Sequence, residues 1–308
     1  MIVTADADSW SRCYEVPLAQ RSGRAPAELA MHVAGVAGCD RSAVECAVPV
    51  AFLEDLARAI SQMPLWLRQR MASECLGVYC VRGLGSSAAS DVVVQADGRL
   101  LGVVVAVDVE QIDDASANDW ASRRAAMPFR TSSTWSLRMT IAGSGDDDRC
   151  ATLQYLLLHE FGHVLSARRA LIPPWWIASA RLRREAVYEF LALSWLRDAA
   201  GLITPMPHND FPLRRRLAFY GDAPLQADDM LPAYRDLQQT SFVTLYAAQN
   251  VYDDFAETFA SYVHVVLMNK PHELVLCQHG RVMLRLDPYW DSRRSMRKRH
   301  CLQQLLSA

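Results

Sequence analysis

Tyr155-Leu156-Leu157-Leu158-His159-Glu160-Phe161-Gly162-His163-Val164-Leu165 is the stretch on which the reading of this chain turns. Residues four apart share one face of a helix, so His159 and His163 can offer their imidazoles to one metal ion. Glu160 lies a third of a turn further round, within reach of a water beside that ion. The helix is apolar nearly all the way round and must be largely buried. Burying a glutamate and two imidazoles without partners costs several kcal/mol, a cost that a divalent cation removes. The plain alternative is a pair of core histidines satisfied by hydrogen bonds.

Zinc, the cofactor this spacing suits, needs a third protein ligand and an open position for water. The best supplier is Tyr252-Asp253-Asp254-Phe255-Ala256-Glu257-Thr258-Phe259-Ala260-Ser261-Tyr262-Val263, a second and otherwise largely apolar helix. Asp253 and Glu257 are four apart and share a face. Acids on a buried face usually have a cationic or metallic partner, so one of the two binds the metal while the other receives a hydrogen bond from a ligand histidine. A solvated first turn, with acids placed to suit the helix dipole, is the competing account.

These two segments, with Tyr246 seven residues before Asp253, resemble the gluzincin-type zincin metallopeptidases. The likeness is to those related to the catalytic domain of anthrax lethal factor and to bacterial zinc peptidases with a Glu-Asp-Phe-Ala-Glu helix. The resemblance covers about 120 residues, and its specific part is these two short segments. It implies a zincin-like fold and zinc-dependent hydrolysis of peptide bonds, with Glu160 as general base and Asp253 as the third metal ligand. Tyr246 faces the metal in this reading and donates to the oxyanion. The family ligand is normally glutamate, so Asp253 reaches one methylene less far. Its helix must then approach the metal more closely, or Glu257 becomes the ligand.

Outward from the motif, the chain reads as α+β. A helix is expected from Pro26 to Val36. Two more fill Val50 to Ser73, interrupted at Pro64. Val78 to Val81 reads as a strand, and Val92-Val93-Val94 with Val103 to Val109 as a hairpin turning at Asp97-Gly98. Ser136 to Ile141 adds another strand. Helices follow at roughly 150 to 168, 180 to 199 and 252 to 268, with a looser stretch from Gly201 to Ala227. A hairpin spans Leu274 to Leu286, and a basic helix runs from Ser292 to Leu306. Asp146, Asp147 and Asp148 stand where they can cap the motif helix. The expected architecture is a strand-containing lobe with mixed or antiparallel sheet over 1–149 and a helical catalytic lobe over 150–308, with the active-site cleft between them in one integrated domain.

Composition narrows the function classes. The chain of 308 residues has a net charge of -2 and is 51% apolar and 21% charged, values of a compact protein with no electrostatic pull toward nucleic acid. Arginine supplies almost all the basic charge, since Lys270 and Lys298 are the only lysines. With frequent alanine, this points to a bacterial genome of high GC content. The apolar runs Tyr155 to Leu158 and Val263 to Met268 fall far short of the ~20 residues that span a bilayer. The first eight residues carry acids where a secretory signal needs basic residues, so the expected location is cytoplasmic, or outside by a route without a cleavable signal. Cysteines without Cys-x-x-Cys pairs read as free thiols.

Other features are set aside. His264 reads as a satisfied core histidine, and the run Arg293, Arg294, Arg297, Lys298, Arg299, His300 as a solvated helix face. Pro173-Pro174-Trp175-Trp176 reads as core before substrate groove. The expected partner is a protein or peptide substrate. Two further possibilities stand beside the peptidase: a catalytically silent zinc-stabilised binding or regulatory protein, and a secreted effector protease.

Overall fold

The computed structural model describes residues 1–45, 47–112, 116–177 and 186–307. Its strands are β1 (Ile2–Thr4), β2 (Ser22–Arg24), β3 (Cys75–Val81), β4 (Ala88–Gln95), β5 (Leu100–Asp108), β6 (Trp135–Thr140), β7 (Trp195–Arg197), β8 (Ile203–Pro205), β9 (Glu273–Gln278) and β10 (Arg281–Arg285). Its helices are α1 (Ala7–Arg12), α2 (Ala27–Ala37), α3 (Arg41–Val44), α4 (Val50–Ser61), α5 (Leu65–Glu74), α6 (Ala117–Ala126), α7 (Arg149–Ala167), α8 (Leu191–Ser194), α9 (Met230–Leu237), α10 (Val251–Ser261) and α11 (Met296–Ser307). The class is α+β. Contacts divide the chain into two units, Met1–Ala115 with Asp148–Arg168, and Ser116–Asp147 with Arg169–Ala308. Helix α7, which carries the histidine motif, thus groups with the strands of the first 115 residues.

The first unit is built on a five-stranded mixed sheet in the order β1-β4-β5-β3-β2. Every residue of β3 is buried, as is all of β5 after Leu100, which is why both read as unbroken apolar runs. Strands β4 and β5 pair antiparallel through the turn at Asp97-Gly98, where Gly98 takes a φ of 86° that a side chain would resist. Helix α2 and Trp10 bury against Val93, Val104 and Ala106, while α7 packs on β4 and β5 with α4 and α5 beside it. Pro64 stands at the N-cap of α5 and separates it from α4. Helix α7 opens on Asp148, whose carboxylate accepts the Ala151 N–H at 2.9 Å.

The second unit holds a three-stranded sheet, β10-β9-β6, and the short hairpin β7-β8. His279 and Gly280 both adopt positive φ in the tight turn joining β9 to β10. Helix α6 lies against β6. The core of this unit is aromatic: Phe190, Trp195, Phe242, Phe255 and Phe259 are fully buried.

Several expectations change. The helix expected over 180–199 falls partly on residues 180–185, outside those described. From 191 onward the chain makes one helical turn and then β7, because Trp195 turns inward and its strand pairs with β8. The helix expected to run from 252 to 268 ends as an α-helix at Ser261 and continues as a π-helix, Tyr262–Leu267. The terminal basic run is not a uniformly solvated face. Lys298 is 1% exposed and ion-paired to Asp254, and Arg294 donates to the carbonyl of Leu237 at 2.9 Å. Helices α6 and α9 and strands β1 and β2 were not expected at all. Among the described residues, no helix is long and apolar enough to cross a membrane. Cys13, Cys39, Cys75, Cys150, Cys277 and Cys301 are free thiols.

Candidate metal centre

Helix α7 buries His159 and Glu160 to 4% and 3% exposure, as its continuous apolar surface requires. The Nε2 atoms of His159 and His163 stand 3.2 Å apart with their rings nearly perpendicular. Two imidazole nitrogens that close either share one proton or point at one ion. The edge of a tetrahedron with zinc–nitrogen bonds of ordinary length is about 3.3 Å. Glu160, on the next position of the same helix, accepts a hydrogen bond from Ser90 Oγ on β4 at 2.6 Å through Oε2.

Helix α10 places its acids unequally. Asn250 is the N-cap, its Oδ1 accepting the backbone N–H groups of Tyr252 and Asp253 at 3.0 Å each. Asp253 is therefore in the first turn, half-buried, where the helix dipole favours an anion. Glu257, one turn deeper, is fully buried and neutralised: Arg124 Nη2 donates to its Oε1 at 2.7 Å and Thr244 Oγ1 to its Oε2 at 2.9 Å. Asp254 faces away into the aromatic core, held by Lys298 and by the Trp195 indole N–H at 2.9 Å. His159 and His163 belong to the first unit, and Asp253 and Glu257 to the second. Two imidazoles on one helix are donors of the kind that zinc and its neighbours among the transition metals accept.

Tyr246 is nearly buried. Its hydroxyl is 2.8 Å from that of Tyr220, the Arg124 guanidinium lies 4.5 Å over its ring, and Phe219 meets it edge-on at 4.8 Å. Burial, and after it the negative charge of Asp253, push the phenol well above its ordinary pKa of 10. Trp175 and Trp176 are half-exposed rather than core; they meet at right angles, and Trp175 approaches Tyr252 edge-on at 6.4 Å. His264 is a core histidine whose Nε2 lies 2.9 Å from the Ile141 carbonyl and 3.0 Å from that of Pro271.

Three residues that hold these groups in place were not singled out in the sequence: Ser90, Arg124 and Asn250. Asn250 had a local signal, since an asparagine just before an apolar-periodic segment is an N-cap candidate. Ser90 and Arg124 had none, because their partners lie 70 and 133 residues away. Compared with protein-family models, with characterised proteins and with solved structures, the chain matches none.

Proposed function

We propose that this protein is a zinc-dependent metallopeptidase with a zincin-like active site, formed by His159, His163, Asp253, Glu160 and Tyr246. The observation that carries the reading is the approach of the His159 and His163 nitrogens to 3.2 Å beside a glutamate on the same buried helix. Asp253, half-buried in the first turn of α10, is the carboxylate offered as the third ligand. His159, His163 and Asp253 would hold the ion. When bound, zinc supplies Lewis acidity, making a water acidic enough to attack at neutral pH and polarising the scissile carbonyl.

The chain's own residues do the rest. Glu160 accepts the proton of the attacking water and delivers it to the leaving amine, two transfers that one carboxylate performs in sequence. Ser90 holds one carboxylate oxygen during both. Tyr246 donates to the oxyanion of the tetrahedral intermediate, a contribution of roughly 3 kcal/mol if it behaves as such donors generally do. Arg124 lies over the Tyr246 ring and also pairs with Glu257, so it ties the oxyanion donor to the helix that bears Asp253.

Metal analysis of the wild type beside His163→Ala, Asp253→Ala and Glu257→Ala tests the ligand set. Stoichiometric zinc is expected in the wild type and in Glu257→Ala, and loss in the other two. Glu160→Gln is expected to keep its zinc and to lose at least ~10²-fold in hydrolysis of a quenched peptide pool. A Glu160→Gln protein with wild-type turnover would refute the assignment of the base.

A further inference from the structure

We propose that Asn250 is a positioning residue for the metal ligand Asp253: its side-chain amide clamps one carboxylate oxygen, so that the other alone is presented to the ion. This deepens the peptidase reading and rests on its metal site. The amide orientation of Asn250 is fixed by its surroundings. Two backbone N–H groups, those of Tyr252 and Asp253, point at one end of the amide at 3.0 Å. An N–H can only donate, so that end is the oxygen. The Nδ2 end then donates to Asp253 Oδ2, at 2.7 Å.

One side chain therefore ties down both the backbone nitrogen and the carboxylate of the same residue. An aspartate at the start of a helix is otherwise free to turn its carboxylate back toward the open backbone N–H groups of the first turn. Here Asn250 occupies two of those groups, the N–H of Tyr252 and of Asp253, and so competes with that alternative. The carboxylate is thus oriented before any ion arrives, and an ion binding it need not order it. The bond to Oδ2 also opposes a chelating, two-oxygen mode. The arrangement offsets the short reach of aspartate, since a side chain with so few rotamers is useful only if the correct one is held.

The test separates the clamp from the cap. Serine caps a helix about as well as asparagine, and glycine costs only a few tenths of a kcal/mol. Neither can donate an amide N–H to Asp253. Asn250→Ser and Asn250→Gly are compared with the wild type by thermal melting of the metal-free proteins and by competition for zinc against a chromophoric chelator. Melting temperatures are expected to stay close together, while the zinc dissociation constant rises about 10- to 100-fold, the usual effect of removing an outer partner of a ligand. Zinc affinity within twofold of wild type in both variants would overturn the proposal. Zinc-edge absorption spectroscopy of the wild type is an arm that requires no variant: one carboxylate oxygen in the first shell supports the clamp, and a two-oxygen carboxylate overturns it. A wild type that takes up no zinc sinks the metal site itself. Zinc lost in Asp253→Ala yet unaffected in Asn250→Ser sinks only the role of Asn250.

Discussion

Asp253 and Asp254 are adjacent and chemically identical, yet they are committed to different tasks by what faces them. Asp253 meets Asn250, whereas Asp254 meets Lys298, Trp195 and Thr258 in a core closed to water. Burial pushes the Asp254 carboxyl up and the Lys298 amine down, each against the pull of its partner, so the pair survives as ions only because it is a pair. The Lys298 ammonium also lies 5.3 Å from the Phe190 ring centre and 5.2 Å from that of Phe242. Lys298→Met leaves Asp254 buried and uncompensated and is expected to destabilise the protein by about 3–5 kcal/mol in urea unfolding. Lys298→Met with Asp254→Leu, which removes both charges, is expected to recover most of that loss. A double variant no better than the single one would show that the charge pair is not what matters there. In sequence, Lys298 sat in a run of cations and looked like solvent-facing charge; its spacing to the buried Cys301 and Leu302 was the available hint.

Helix α7 was legible because every signal agreed: an acidic cap, an apolar surface all round, and a motif at a four-residue interval. Its start at Arg149 follows directly from Asp148. Asp148→Ala is expected to cost about 1 kcal/mol in chemical denaturation. Asp148→Ser, which keeps a capping oxygen, is expected to be nearly neutral, because the bond from Arg58 to Asp148 is half-exposed and worth little. Equal losses in both variants would move the effect from the cap to that ion pair. The stretch after 186 failed for the opposite reason. Tyr188, Phe190, Leu191 and Trp195 are apolar at intervals a helix can use, but Trp195 gains a hydrogen bond to Asp254 and a strand partner in β8. Packing that involves residues 59 positions away overrides local preference, and no window on the sequence contains it.

For the molecule as a whole, two histidines whose surroundings disfavour the charged form, buried His264 and half-buried His272, bear on the response to acid. Burial lowers His264 from its ordinary 6.5 to about 3. Between those values the unfolded chain binds a proton that the folded one refuses, so stability rises with pH across this window and is lost as pH falls from 6.5 toward 3. His272, lowered to about 4 mainly by burial, adds to the same trend. In metal-free protein the urea midpoint is expected to drop between pH 7 and pH 5, each group contributing up to ~1.4 kcal/mol per pH unit. A midpoint that is flat across that range would exclude a folded state that keeps these imidazoles neutral. The sequence by itself determined the α+β class and the ends of the motif helix, because caps and periodicity are written in neighbouring positions. Only the tertiary structure decided that Glu257 belongs to Arg124 and Thr244, and that Ser90 and Asn250 hydrogen-bond to the carboxylates of Glu160 and Asp253. Those assignments depend on which side chains meet across tens of residues or at the turn of a helix, and on which charge reaches each acid first, neither of which is carried by local pattern.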